Sequence, residues 1–132
     1  MGSRALTLDE HDSTVAEGIV LIDFWAAWCG PCRQFGPIFE RVSEKHPDAT
    51  FVKVDTDAEP ELSQRYGISS IPTLVVYREG IPVFGQPGAL PEPVLEDVLR
   101  QVRELDMDAV REQYAEQLTA AQQAAAVPEE LR

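Results

Sequence analysis

Cysteine is scarce in this 132-residue chain, which holds two, Cys29 and Cys32. A pair that close in sequence cannot make the multi-bridge framework that staples small secreted domains, so the fold rests on a hydrophobic core, for which 44% apolar residues suffice. Cations are scarce as well. Eleven Lys and Arg against 23 Asp and Glu leave a net charge of −12, and without clustered cations to take up phosphates no nucleic-acid partner is expected. Histidine is limited to His11 and His46. A closed zinc site takes four ligands, and neither histidine has ligand spacing to the cysteines, so no metal is expected. No apolar run approaches the length of a membrane span, and Met1 to Leu8 is too short for a signal peptide. A cytoplasmic protein without a membrane partner is the expectation.

What is present alternates in period. Ala5 to Leu8 reads as a short edge strand, and Asp9 to Glu17 as an acidic helix or turn closed by Gly18. Ile19 to Trp25 is a continuous run rich in β-branched residues, the pattern of a strand buried on both faces, interrupted by Asp23. From Pro31, apolar residues at Cys32, Phe35, Phe39 and Val42 recur at helical spacing as far as Lys45, with a kink expected at Pro37. Thr50 to Asp55 is a strand, Glu59 to Tyr66 a helix capped by Gly67, and Thr73 to Tyr77 a strand turned at Glu79-Gly80 into Pro82 to Gly85. Leu90-Pro91-Glu92-Pro93 then starts a helix striped by Leu95, Val98, Leu99, Val102 and Leu105. The order is βαβαβαββα, an α/β fold with a mixed sheet and helices on both faces.

Composition shifts after Leu105, so the chain divides into a domain over residues 1–105 and an acidic, Ala/Gln-rich helical extension over 106–132. The extension carries a narrow stripe, Met107, Val110, Tyr114, Leu118 and Ala121, and favours helix until Pro128. Such a helix either folds against its own domain, frays, or docks on a partner or a second copy. A monomer with possible contact through this helix is expected.

Trp28-Cys29-Gly30-Pro31-Cys32 lies where the buried strand gives way to the long helix. A thiolate at the first turn of a helix is stabilised by unsatisfied backbone N–H groups and by the dipole, which lowers its pKa and raises the share of nucleophile near neutral pH. Cys29 has that position. Cys32, three residues on, shares its face and is close enough to close a small disulfide ring. Asp23 has two readings, a satisfied core hydrogen bond or a carboxyl whose burial raises its pKa toward that of a proton acceptor near neutrality. Lys53 is either a solvated strand lysine or a charge that tunes a neighbour. Ile71-Pro72 is either a turn before a strand or a cis bond, which only proline makes cheap.

The run from Phe24 to Cys32 resembles the active-site stretch of the thioredoxin family. Asp23 before it and Pro37, Lys53, Tyr66-Gly67-Ile68, Ile71-Pro72-Thr73 and Gly88-Ala89-Leu90 after it stand in the matching order, and the resemblance covers about Leu6 to Leu105. It implies a thioredoxin fold and a reductase of protein disulfides, with Cys29 as nucleophile, Cys32 as resolving thiol, Asp23 as proton acceptor and Lys53 tuning Asp23. It further implies a substrate surface of Trp28, Gly30, Pro31, Ile71, Pro72, Gly88 and Ala89, with Pro72 cis beside the redox pair. Gly30-Pro31 between the cysteines is similar to the reductants of the family, not its oxidases and isomerases. No bound cofactor is implied; electrons would come from NADPH through a flavin-containing thioredoxin reductase, and the partners would be that reductase and disulfide-containing substrate proteins. Phe35, Gly36 and Pro87 depart from the usual pattern. The competing class is a binding module or holdase that uses the apolar patch, with the cysteine pair incidental.

Overall fold

The computed structural model describes residues 2–126. They form β1 (Ser3–Ala5), α1 (Leu8–Val15), β2 (Ile19–Trp25), α2 (Gly30–Lys45), β3 (Thr50–Asp55), α3 (Pro60–Arg65), β4 (Thr73–Arg78), β5 (Ile81–Pro87), α4 (Glu92–Glu104) and α5 (Met107–Ala126). The five strands make one sheet in the order β1-β3-β2-β4-β5. β3 runs parallel to both β1 and β2, whereas β4 is antiparallel to β2 and β5. The mixed sheet expected from the sequence is therefore present, with β2 at its centre.

The period of two along β2 divides its side chains between two cores. Val20, Ile22 and Phe24 go to one side with Leu6, Val15 and Leu62, next to α1 and α3. Leu21 goes to the other, among Phe35 and Phe39 of α2 and Leu95 and Leu99 of α4. Phe24, Phe35, Phe39 and Phe51 are fully buried, each contributing about 1.5–3 kcal/mol. The same alternation turns Asp23 and Trp25 toward the α2 side.

Two local boundaries differ from the sequence reading. β1 is Ser3–Ala5, not Ala5 to Leu8, and Leu8 opens α1. The Leu6 N–H still donates to the Lys53 carbonyl at 2.8 Å, but that of Leu8 donates to the Glu59 carboxylate at 3.0 Å. A partner 51 positions away turns the chain into a helix where alternation alone suggests more strand. The β4–β5 connection needs two consecutive residues at positive φ, Glu79 at 54° and Gly80 at 81°, the geometry that matches the twist of a two-residue hairpin. Gly67, at φ 63°, closes α3 in a Schellman arrangement: its N–H reaches Gln64 O and that of Ile68 reaches Ser63 O, both at 3.0 Å.

α2 continues unbroken through Gly36 and Pro37. A Cβ at Gly36 would meet Lys53 Nζ at 3.7 Å, an ordinary contact. Gly36→Ala should therefore raise the free energy of unfolding by about 0.5–1 kcal/mol, the helix-interior difference between the two residues, as read from urea denaturation midpoints.

The chain separates into two compact units, one up to Val102 and a second from Arg103. In the second unit the Asp106 carboxylate accepts from the N–H groups of Asp108 and Ala109 at 3.1 and 3.4 Å, which caps the start of α5. Helix is described as far as Ala126; the expected stop at Pro128 lies outside the described residues. No helix of the described residues is long and apolar enough to cross a membrane.

Candidate active site

Strand β2 ends at Trp25 and the chain turns through Ala26 and Ala27 into α2, which puts the cysteine pair on the helix start. Cys29 is the N-cap, with extended backbone (φ −91°, ψ 115°), and Pro31 stands within the first turn, where its missing N–H costs nothing. The Cys32 N–H donates to Cys29 Sγ at 3.2 Å. The sulfur thus takes the place that a serine or aspartate oxygen has in an ordinary cap, and a negative charge on it would face the positive end of α2.

Cys29 and Cys32 are joined in a disulfide, with Cα atoms 5.3 Å apart. They are 4% and 5% exposed and cluster with Ala26, with Trp25 and Ile71 packed against them. Cys29 Sγ lies 3.6 Å from the carbonyl oxygen of Ile71. The Ile71-Pro72 peptide bond is cis, and the Pro72 carbonyl accepts from the Gly88 N–H at 2.8 Å. Gly88 has φ 103°. Three loops far apart in sequence therefore meet at the redox pair. Ala89 sits apart from that cluster, half-buried against the α2–α4 core.

Trp28 is 67% exposed. Its Nε1–H donates to Asp57 Oδ2 at 3.0 Å, which sets the plane of the indole. With Thr56, Ser63, Ile68, Ser69, Ser70 and Ile71 it lines a groove of about 190 Å³. Asp57, Thr56 and the serines had no signal in the sequence, because their part in the site depends on loop ends that only the folded sheet brings beside Trp28.

Asp23 is 1% exposed, and neither carboxylate oxygen has a hydrogen-bond partner among the described residues. Burial raises its pKa to about 7, against the opposing pull of the Lys53 charge. Lys53 stands opposite Asp23 in the β2–β3 register. Its Nζ lies 4.9 Å over the Trp25 ring. A core hydrogen bond to Asp23 would need a partner that the described residues do not supply. Among the described residues no group of three or more His, Cys, Asp or Glu is placed to hold a metal.

Comparison with known proteins agrees with this geometry. The thioredoxin family model matches residues 3–101. A Streptomyces coelicolor protein described as thioredoxin 2 is 60% identical over 113 residues, which is 85% of this chain and 84% of that one. Thioredoxin from Alicyclobacillus acidocaldarius is 46% identical over 84 residues, 63% of this chain and 80% of its own. Among solved structures, a mutant thioredoxin from Halobacterium salinarum superimposes with a TM-score of 0.71 at 34% identity, over 77% of this chain and 90% of its own. Malassezia sympodialis thioredoxin gives 0.67 at 33% identity, over 76% and 90%. A redox-inert binding module is not favoured by a cysteine pair at bonding distance under a helix start. With its capped sulfur, its partner one turn inside α2 and its family resemblance along nearly the whole first unit, the chain belongs to the thioredoxin family and is a protein thiol–disulfide oxidoreductase.

Proposed function

We propose that Cys29 is the attacking and Cys32 the resolving sulfur in the reduction of protein disulfides. The observation that carries the reading is that Cys29 is the N-cap of α2, with its Sγ accepting from the Cys32 N–H. In the dithiol form the Cys29 thiolate attacks one sulfur of a substrate disulfide; a new S–S bond forms, the old one breaks, and the second substrate sulfur leaves as a thiolate that takes a proton. Cys32 then gives its proton to the Asp23 carboxylate and attacks Cys29 Sγ. The Cys29–Cys32 disulfide forms, the remaining substrate sulfur leaves, and two electrons have passed to the substrate. Asp23 suits the role because its burial brings it to about 7, where acceptance and release of a proton are both accessible. Lys53, opposite it on β3, biases the carboxyl toward the charged form.

Trp28, Gly30, Pro31, Ile71, Pro72, Gly88 and Ala89 form the surface that receives the substrate, with an extended segment pairing beside Ile71 and Pro72. The proximity of the Ile71 carbonyl to Cys29 and the Pro72–Gly88 hydrogen bond support this reading for the three loops that meet at the pair; for Ala89 it rests on the family resemblance. The partners are disulfide-containing proteins and a flavin-dependent thioredoxin reductase that returns electrons from NADPH, in a cytoplasmic setting. Residues 1–105 carry the reaction, as a monomer, and 106–132 are an appended extension.

Insulin reduction coupled to NADPH oxidation by a thioredoxin reductase tests the whole cycle. Turnover that needs both cysteines is expected; precipitation of insulin with dithiothreitol at the uncatalysed rate would exclude it. Truncation after Leu105 should leave this turnover unchanged, whereas a loss of rate would place the extension in the reaction.

A further inference from the structure

His11 is buried, 5% exposed, and no step of the exchange uses it. It lies on α1, on the side of the sheet away from α2. Its Nδ1 is 2.7 Å from Asp12 Oδ1, its Nε2 meets the Tyr66 hydroxyl, and that hydroxyl lies 2.7 Å from the hydroxyl of Tyr77 on β4. The charged and titratable groups around the ring are Asp12 on its own helix, Arg65, which pairs with Asp12 at 3.5 Å, Tyr66 and Tyr77. One arrangement of protons satisfies every member. Nδ1–H donates to the Asp12 carboxylate, Nε2 accepts from Tyr66 O–H, and the Tyr66 oxygen accepts from Tyr77 O–H. Burial keeps the Tyr66 hydroxyl protonated by raising its pKa.

Tyr66 is where this chain of hydrogen bonds meets the active site. It is the C-cap of α3, its ring packs at 5.0 Å on Phe24 of the central strand, and the segment that follows it, Gly67 to Pro72, carries the Ile71 carbonyl to within 3.6 Å of Cys29 Sγ. Ile68 and Ile71 pack against the same core as Tyr66. A hydroxyl bonded on both sides fixes the tyrosine ring, and the capped backbone transmits that to the segment it starts.

We propose that His11 is a positioning residue for disulfide exchange, holding Tyr66 and through it the 67–72 segment against the redox pair. This rests on the reading above that Ile71 and Pro72 contact the substrate. His11 touches neither sulfur nor substrate, so its effect falls on substrate engagement and not on the chemical step.

The test is steady-state reduction of a protein disulfide by four single variants and the His11→Phe/Tyr66→Phe double variant. His11→Phe keeps a ring and removes both hydrogen bonds; His11→Gln keeps an acceptor where Nε2 lies; Tyr66→Phe removes the hydroxyl; Ile71→Ala probes the contact surface. His11→Phe should raise KM about three- to tenfold, the equivalent of one neutral hydrogen bond, and leave kcat within about twofold. Tyr66→Phe should match it, the double variant should be no worse than either single, and His11→Gln should recover most of the loss. A wild-type KM in His11→Phe, a His11→Gln as impaired as His11→Phe, or additive singles would each overturn the positioning role. Should His11→Phe not fold, Tyr66→Phe decides the matter independently, a wild-type KM there overturning the role. An Ile71→Ala variant with unchanged KM would sink the substrate-surface reading itself; a raised KM there beside a normal His11→Phe sinks the positioning role alone.

Discussion

A Cys32→Ser variant mixed with a disulfide-bonded protein should accumulate a covalent adduct that dithiothreitol dissolves, and Cys29→Ser should accumulate none. Both should lose turnover by a factor on the order of 10³ or more, since a hydroxyl near its ordinary pKa is no replacement for a thiolate. The asymmetry follows from the helix start. Cys29 Sγ faces the N–H of Cys32 and the positive end of α2, so its anion is stabilised in place, while Cys32 lies one turn in and is displaced from that field. With the proposed roles, removing the inner sulfur would leave attack intact and block release, and removing the outer one would block attack. Non-reducing electrophoresis and mass spectrometry read the adduct directly, and equal trapping by both variants would reverse the assignment or abolish it.

Asp23→Asn is expected to make the oxidised protein more stable and a worse catalyst. The carboxyl titrates near 3.8 when unfolded and at about 7 in the fold. Between those values the folded state holds a proton that the unfolded chain has released, so stability falls as pH rises from about 4 to about 7 and is level above. An asparagine carries no such penalty. At pH 8 the variant should exceed the parent by up to about 4 kcal/mol, and at or below about pH 4 the difference should vanish. Urea unfolding at the two pH values measures this, and a pH-independent difference would mean that the carboxyl is not the titrating group. In turnover, loss of the proposed proton acceptor should slow resolution of the mixed disulfide by a factor on the order of 10². Stopped-flow release of a preformed adduct isolates that step.

The sequence carried much of the site because much of it is local. A cysteine at a helix start and a second one turn later are three residues apart, and the period change from Trp25 to Cys32 marks the junction without any tertiary contact. β2 and β3 run over the residues their apolar pattern indicates, β2 because a strand buried on both faces leaves little freedom in composition and β3 by its alternation. Where boundaries slipped, a remote group had decided them: Glu59 takes the N–H of Leu8 and starts α1 there. Asp57 beside Trp28 and the His11–Tyr66–Tyr77 chain left no trace in the sequence. Each is a pairing of polar side chains across loops or strands 11 to 55 positions apart, and polar pairs of that kind have no period to read.

By itself the sequence determined the class of fold, the central buried strand and the position of the cysteine pair at a helix start. These depend on the alternation of apolar and polar residues and on the order of residues within one turn of helix. Tertiary structure decided which loops share the pair's surface, that Asp23 has no partner for either oxygen among the described residues, that the bond before Pro72 is cis, and where Lys53 and Trp28 rest. All of these follow from the register of β2 against β3 and β4 and from the packing of α2 across it, and register is fixed only when separate segments bury their faces together.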